Sequence, residues 1–544
     1  MDTATAGSLT KRTTGTGWGF NISRPPAVIW VPAVIIALAV LLPLAYLLMR
    51  TMGAGGEVWD LLFRMRTLAI LGRTLGLVAA VTGISVVISL PLAWLTTRTD
   101  LPFRKVWAVL TVLPLAIPSY VAGFVVVAAF GPRGILQQAL SGLFGLERLP
   151  EIYGFPGALL TITMVTFPYV LLTMQASIRG QDPCLEEASR SLGHSAWATF
   201  RKVTLPQLRP SIAAGSLLVA LYTLRDFGAV SLLRYETFTW AIYLQYQTSF
   251  DRMVAAALSL VLVAVAVIIL FAEVRTRGRA QYHRVSVGVE RLAGFIKLGG
   301  WRWPAFGLCA LIVLLSLIMP MSILGYWLVR GVSSGEPFNV VWMPVLNSGY
   351  VAVLAALVTI AAALPVVILS VRYSSRISSL LERSTYIGFA LPGIVVALAL
   401  VFFGANYATP IYQTLGLLIF AYVILFLPQA VGAVRSSLLQ LSPRVEEAAR
   451  SLGSSSWRVL LKVTIPILRP GILAGAALVF LTSMKELPAT LLLSPIGFKT
   501  LATSIWSATD EAFFTRAAIP ALLLIMLSSI PMAFIVARER METS

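Results

Sequence analysis

Apolar segments long enough to cross a lipid bilayer dominate this 544-residue chain. A membrane-spanning helix needs about 20 mostly apolar residues. Because 58% of the residues are hydrophobic and 12% are charged, a water-soluble globule could not bury the apolar surface. The sequence therefore predicts an all-α polytopic membrane protein of about twelve spans. Their predicted cores are 27–49, 74–96, 106–130, 157–178, 211–225, 252–274, 304–329, 347–371, 384–403, 413–434, 471–485 and 515–537.

Lysine and arginine are distributed unequally between the two predicted faces. With the N-terminus inside, 29 of the 42 basic residues lie in inside segments. Cytoplasmic loops carry such an excess, so we predict an inner (plasma) membrane protein with both termini in the cytoplasm. The net charge of +19 is expected to face anionic lipid. Nucleic-acid binding is disfavoured because the basic residues are scattered through short loops.

One stretch of sequence occurs twice. Residues 186–212 and 446–472 align without a gap at an offset of 260, and 17 of the 27 positions are identical. Six predicted spans separate the two copies, so both copies lie on the same face. The sequence thus predicts two parallel six-helix units, at 27–274 and 304–537, rather than an inverted repeat.

Three polar segments complete the predicted domain organisation. A basic cytoplasmic linker, 275–303, joins the two units. The tails, 1–26 and 538–544, are predicted to be cytoplasmic.

Each repeated segment lies in a loop, at about 183–210 and about 443–470. A proline that can open a helix is followed by two glutamates, whose charge complements the positive end of the helix dipole. Gly193 and Gly453 then stand where the short helix should end, and we expect positive φ angles there. A hairpin that merely connects spans is the alternative, but two copies this similar among divergent spans favour a function.

The two loops resemble the EAA loop of ABC importer permeases. In that family the loop forms a coupling helix that docks into a cleft on a cytoplasmic ATPase subunit. Ser189 departs from the motif, whose third residue is usually Ala. The matching residues, and hence the expected coupling residues, are Glu186, Glu187, Ala188, Gly193, Pro206, Glu446, Glu447, Ala448, Gly453 and Pro466.

Further stretches resemble the fused two-unit ferric-iron permeases. They are residues 115–120, 226–235 and 484–490. The resemblance implies a permease that forms the substrate pathway, two cytoplasmic ATPase subunits, and a periplasmic or extracellular binding protein that delivers ferric iron. Fused thiamine permeases and phosphonate or small-anion systems share this layout, so the substrate and its chelation state stay open.

The sequence contains no motif for ATP hydrolysis. It has no phosphate-binding loop and no Gly-Lys dipeptide, so we predict no enzymatic activity and no cofactor in this chain, with ATP bound by the partner. Two cysteines and two histidines suggest no metal site. An ion-coupled secondary transporter is the alternative from another class.

Charged residues follow two short spans at equivalent positions. An ionisable residue at membrane depth is typical of a substrate pathway; the alternative is a charge pair that snorkels to the outer interface. Prolines near the same depth suggest broken helices, or simply kinked spans. The candidate pathway residues are Arg225, Asp226, Lys485, Glu486, Pro118 and Pro392.

Overall fold

The architecture is entirely helical wherever the computed structural model describes the chain. The described residues are 25–52, 64–132, 134–138, 150–181, 183–248, 252–276, 295–335 and 341–542. Their one strand-like pairing is an isolated parallel bridge between Thr99 and Ile296. Most of the predicted N-terminal tail and linker, and the end of the C-terminal tail, lie outside these residues, and the predicted domain boundaries stay predictions.

Besides a helical stretch at 135–138, the first unit contains eleven α-helices among the described residues. They are α1 Ala27–Met52, α2 Met65–Arg98, α3 Arg104–Leu110, α4 Ser119–Phe130, α5 Phe155–Arg179, α6 Pro183–Ser191, α7 Ala196–Thr199, α8 Leu205–Arg225, α9 Gly228–Leu232, α10 Phe238–Thr248 and α11 Arg252–Thr276. A 3₁₀ turn, Leu113–Ala116, precedes α4, and a π-helical turn, Phe200–Thr204, joins α7 to α8.

The second unit repeats this order. Its α-helices are α12 Arg302–Val313, α13 Met319–Ser333, α14 Trp342–Arg372, α15 Arg376–Thr385, α16 Ile387–Ala390, α17 Gly393–Tyr407, α18 Leu415–Gln440, α19 Pro443–Ser451, α20 Ser456–Val459, α21 Ile465–Ile467, α22 Arg469–Met484, α23 Pro488–Leu493, α24 Leu501–Asp510 and α25 Phe514–Glu542. Short turns are 3₁₀ Gly299–Trp301, π Leu314–Ile318, 3₁₀ Thr409–Ile411 and π Leu460–Thr464.

The predicted number of twelve spans is not confirmed. Eight helical segments of the described chain are long and apolar enough to cross a membrane, and ten are if two sharply bent pairs each count as one span. The predicted span 211–225 belongs to α8, which carries charged residues at and near both ends. The last predicted span lies in α25, of which Phe514–Ser529 is a shorter apolar helix.

Two predicted spans, 106–130 and 384–403, are broken helices rather than continuous ones. The chain is extended at Ile117 and Leu391, and new helices begin directly after Pro118 and Pro392. A proline lacks the backbone N–H and pushes the preceding residue out of helical geometry. The segments on either side of Pro392 are bent by 105°. The broken-helix interpretation of these prolines is therefore confirmed.

Helices near the start of each unit pack on the other unit. Helix α1 lies against α14, and α13 lies against α4. Within each unit, neighbouring long helices approach closely at a glycine of α8 or α22. A Cβ added at Gly215 would lie 2.7 Å from the Val170 Cα atom, and one at Gly475 would lie 3.0 Å from the Ile360 Cδ1 atom. Small residues allow such close approach where lipid supplies no hydrophobic driving force.

We therefore expect Gly215→Ala to destabilise the protein by about 1–3 kcal/mol, as overpacking does. The matched control is Gly83→Ala in α2, where an added Cβ meets nothing within 4 Å. Thermal unfolding of the detergent-purified chain measures both. Equal stability of the two variants would contradict the close packing of α5 and α8.

Candidate functional site: two repeated loops and a charged interface between the units

The two repeated loops, 183–204 and 443–464, have the same backbone geometry. Gly193 and Gly453 have φ angles of +85° and +84°, which confirms the prediction of positive φ. The residue after each glycine donates a backbone hydrogen bond to the carbonyl five residues earlier, at 3.2 Å in both loops. The glycine itself donates to the carbonyl three residues earlier. This Schellman arrangement ends the helix and needs a left-handed residue.

The first glutamate of each loop turns inward. The Glu446 Oε1 atom accepts hydrogen bonds from Arg372 Nε and Thr464 Oγ1, both at 3.1 Å. The Glu186 Oε1 atom accepts one from Thr204 Oγ1 at 2.8 Å. Each carboxylate therefore ties the short helix of the loop to the π-helical turn that follows it.

The same glutamates also bind the end of the second long helix in each unit, with unequal strength. Arg372, the last residue of α14, contacts Glu446 at 3.1 Å and also donates to the Leu441 carbonyl. Arg98, the last residue of α2, stays 3.7 Å from Glu186. Its buried Nε and Nη2 atoms have no hydrogen-bond partner among the described residues. The second loop is thus anchored more firmly than the first.

The outer face of each loop is exposed and partly apolar. Leu192 and Leu452, next to the turn glycines, are 79% and 86% exposed. Trp197 and Trp457 are exposed as well. Large apolar side chains presented together on a loop are typical of an interaction surface. Glu187, Glu447, Ala188 and Ala448 are exposed on the same loops.

The remaining predicted loop residues, Pro206 and Pro466, lie where the loops pass into α8 and α22. Both are half-buried and occupy the second position of a helix. Proline is tolerated in a first helical turn because the N–H groups there have no intrahelical acceptor. A π-helical turn precedes each of them. In the first unit, loop and helix therefore form one nearly continuous element. In the second unit, the segments Trp457–Ile467 and Arg469–Met484 are bent by 67°.

The charged residues at the ends of α8 and α22 meet the broken helices of the opposite unit. Arg225 Nη1 donates to the Phe389 carbonyl at 3.4 Å, and Lys485 Nζ donates to the Leu115 carbonyl at 2.9 Å. Each acceptor lies three residues before Pro118 or Pro392. The two contacts are equivalent and reciprocal, so an approximate two-fold relation connects the units at this charged interface.

The acidic neighbours cap the short helices that follow them. The Asp226 Oδ1 atom accepts from the Ala229 amide at 3.0 Å, and the Glu486 Oε1 atom accepts from the Ala489 amide at 3.3 Å. An added Cβ at Gly393 would lie 2.3 Å from Glu486 Oε1. Asp226 is buried, and Arg225 and Lys485 reach the other unit. The pathway role of these residues and the alternative of charge pairs snorkelling at an outer interface both stay predictions.

Sequence reasoning missed several partners of these residues. In the sequence, Arg98 and Arg372 stand out only as basic loop residues, although the offset of 274 that separates them also relates Pro118 to Pro392. The offset of 260 likewise relates Thr204 to Thr464. These internal correspondences were the available signal. The acceptors at Leu115 and Phe389 are backbone carbonyls, which every residue has, so the residue type gives no indication of them.

Comparison with known proteins identifies the family. A family model described as "Binding-protein-dependent transport system inner membrane component" matches residues 85–278 and 356–540. The chain belongs to this family. Because the model matches once in each half, the permease consists of two fused units.

Several permeases are similar to this one over much of its length. The "Fe(3+)-transport system permease protein FbpB 2" of Haemophilus influenzae is 36% identical over 491 residues, which are 89% of this chain and 93% of that protein. The "Ferric transport system permease protein FbpB" of Actinobacillus pleuropneumoniae is 25% identical, over 75% of this chain and 62% of that protein. The "Molybdenum transport system permease protein ModB" of Escherichia coli is 32% identical, over 33% of this chain and 82% of that protein.

The unequal anchoring predicts an order of stabilities. Hydrogen bonds to charged groups contribute about 1.5–3 kcal/mol, so Glu446→Gln should lose about that much. Glu186→Gln should lose less, because its contact with Arg98 is longer. Glu447→Gln is the matched control, since its exposed side chain should leave thermal unfolding unchanged. A control as unstable as Glu446→Gln would contradict the inward role of the first glutamate.

Proposed function

We propose that this permease carries ferric iron across the inner membrane and is driven by two cytoplasmic ATPase subunits that dock on the repeated loops. The observation that carries the proposal is the 36% identity to an Fe(3+)-transport permease over nearly the whole length of both chains. The relatives of other specificity, such as ModB, match about a third of this chain. They support the shared permease scaffold rather than its substrate.

The outer faces of the loops support docking of an ATPase. Each presents an exposed leucine, tryptophan and glutamate around a rigid glycine turn. One chain supplies two such faces in equivalent settings, which suits a partner with two-fold symmetry. In this proposal ATP is bound by the partner, and Glu187 and Glu447 face its basic groups.

The loops are built to transmit a displacement toward the charged interface. The first loop continues through α7 and the π-helical turn into α8, whose 21 residues extend about 30 Å. Arg225, at the far end of α8, is the residue that contacts the other unit. A partner that moves the loop would therefore act on the Arg225–Phe389 contact, and through α22 on the Lys485–Leu115 contact. Switching these contacts would alternate the access of the passage.

The proposed orientation in the membrane rests on the distribution of basic residues. Both termini and both loops are proposed to be cytoplasmic, because most lysines and arginines then lie inside. A substrate-binding protein would deliver iron on the opposite face. A thiamine, phosphonate or small-anion permease remains the alternative of the same class. An ion-coupled secondary transporter would not need two equivalent docking loops.

Substitution of the turn glycines tests the docking role. Gly193→Val and Gly453→Val should cost on the order of 1–2 kcal/mol locally, because a left-handed φ is unfavourable for residues with a Cβ. An added Cβ meets no neighbour at either position, so the spans should stay intact. We expect ATPase attachment and iron uptake to fall together, most in the double variant.

Pull-down of the ATPase from membranes with matched permease levels, combined with uptake of radioactive iron, measures this effect. The control is Gly299→Val, at a glycine that also has positive φ and open space but lies outside both loops. Full ATPase attachment and full iron uptake in the double variant would contradict the docking role and would mean that the loops only connect spans.

A native thiol tests the orientation. Cys184 is exposed in the first loop, whereas Cys309 is buried. In cells without the ATPase, an impermeant thiol reagent should label Cys184 only after the membrane is permeabilised. Cys184→Ala sets the background. Labelling of intact spheroplasts at Cys184 would reverse the proposed topology.

A further inference from the structure

A cavity of about 390 Å³ lies on the inner side of the second repeated loop. Its walls come from the start of α1, the end of α14 and the loop itself. It therefore lies where the first helix of one unit meets the docking loop of the other. Its lining includes Pro26, Ile368, Arg372, Tyr373, Trp457 and Leu460.

Two aromatic rings meet at the corresponding place in the first unit. Trp94 of α2 and Phe200 of the π-helical turn contact each other edge-to-face, with their ring centroids 5.0 Å apart. Phe200 also stacks on Trp197 at a centroid distance of 5.6 Å. At the offsets of 274 and 260, the second unit has the smaller residues Ile368 and Leu460. The second unit thus has an open space where the first unit has two rings.

The charged groups of the cavity wall are already paired with each other. Glu446 Oε1 lies 3.1 Å from Arg372 Nε, and Glu446 Oε2 lies 3.7 Å from Arg450 Nη2. Much of the remaining wall is apolar and includes Val28 and Ile29 of α1. A charged ligand would have to compete with these ion pairs. The cavity therefore suits an uncharged occupant with apolar side chains.

The linker shows how the chain enters the first helix of the other unit. Residues 295–298, which precede α12, lie along the end of α2. The Ile296 amide donates to the Arg98 carbonyl at 2.8 Å, and the Asp100 amide donates to the Ile296 carbonyl at 3.2 Å. These bonds form the parallel bridge between Thr99 and Ile296. The end of α2 thus holds the segment that leads into the second unit.

The equivalent place in the second unit is the wall of the cavity. Tyr373, which corresponds to Thr99 at the offset of 274, lines the cavity. Pro26, the residue directly before α1, lines it as well. The chain therefore enters α1 beside the cavity, just as it enters α12 beside the end of α2.

The residues that lead to α1 match the linker in sequence and the cavity in chemistry. The dipeptide Gly-Phe occurs at 19–20 and at 294–295, which makes Asn21 the counterpart of Ile296. Residues 18–22 read Trp-Gly-Phe-Asn-Ile and carry no charge. Five extended residues span at most about 17 Å, so this segment can reach the cavity. It offers two aromatic side chains where the second unit lacks two rings.

We propose that residues 18–22 of this chain occupy the cavity and lie along the end of α14, as residues 295–298 lie along the end of α2. The aromatic side chains of the segment fill the space that two rings fill in the first unit. The segment thereby supports the second repeated loop from behind, below the exposed Trp457. Its effect on ATPase docking rests on the proposed function, whereas its binding to the cavity does not.

Disulfide cross-linking of the purified full-length chain tests the proposed pairing. Asn21→Cys and Tyr373→Cys are introduced together into a chain that carries Cys184→Ala and Cys309→Ala. Bridged neighbours lie about 5 Å apart, a Cα distance that a disulfide can span. After mild oxidation, we expect mass spectrometry to detect the linked peptides of the two new cysteines.

Two control pairs calibrate this result. Thr99→Cys with Ile296→Cys should form the disulfide readily, because these residues are bridged in the structure. Ser8→Cys with Tyr373→Cys should give only the background yield, since Ser8 lies outside the proposed segment. A Ser8 cross-link as abundant as that of Asn21 would indicate random collisions and would overturn the proposal.

Filling the cavity is the second arm of the test. Ile368→Trp together with Leu460→Phe copies the rings of the first unit into the second and should reduce the Asn21–Tyr373 cross-link to background. Phe20→Ala leaves the cavity as it is and should lower the yield about tenfold, since burial of a phenylalanine side chain shifts an equilibrium by about that factor or more.

The outcomes separate this proposal from the proposed function. Absence of the Asn21–Tyr373 cross-link, in a preparation where the Thr99–Ile296 control forms, would overturn it and leave the cavity to an occupant from outside this chain. A cross-link that is undiminished both by cavity filling and by Phe20→Ala would overturn it as well. Because no ATPase, binding protein or iron takes part in the assay, failure of the proposed function would leave these results unchanged.

Discussion

Backbone groups exposed by helix breaks inside a membrane must find partners within the protein, and this constraint organises the permease. Pro118 and Pro392 interrupt two spans, so carbonyls just before them have no N–H donor within the helix. Water is scarce at that depth, so each unpaired carbonyl would cost several kcal/mol. The structure satisfies Leu115 and Phe389 with a lysine and an arginine from the opposite unit. The breaks are therefore stable only while the two units stay together.

This reciprocity explains why charged residues occur at the ends of α8 and α22. Each basic group satisfies a broken helix of the other unit, and each acidic neighbour caps the next short helix of its own unit. In the two units, the acidic side chain and the residue that it faces differ in size. A Cβ at Gly393 would collide with Glu486, whereas the shorter Asp226 faces Ser119, which stands at the corresponding position of the first unit. The longer acid thus faces the smaller residue in one unit, the shorter acid faces the larger residue in the other, and the two contacts keep the same geometry.

The repeated loops and the charged interface are the two ends of the same helices. At one end, the buried Glu446 binds the terminus of α14, and the partly buried Glu186 lies 3.7 Å from the terminus of α2. At the other end, Arg225 or Lys485 contacts the opposite unit. The stronger anchor in the second loop makes the two halves unequal, although their sequences in this region are 17 of 27 identical. In the proposed function, each helix would connect a docking loop to the charged interface between the units.

Much of this organisation could be predicted from local sequence. Long apolar runs determine membrane helices because only such helices satisfy their own backbone in lipid, and the repeat at 186–212 and 446–472 indicates two units with paired loops. Local backbone geometry could also be predicted at Gly193, Gly453, Pro118 and Pro392, because it depends on the residue itself and its immediate neighbours. The count of spans was not, because α8 is a packed helix with charged ends rather than an apolar run. Only the tertiary structure decided that Arg225 and Lys485 bind carbonyls of the opposite unit and that Glu446 turns inward to Arg372. Those partners are 74 or more residues apart in the chain, and backbone acceptors leave no mark in an amino-acid sequence.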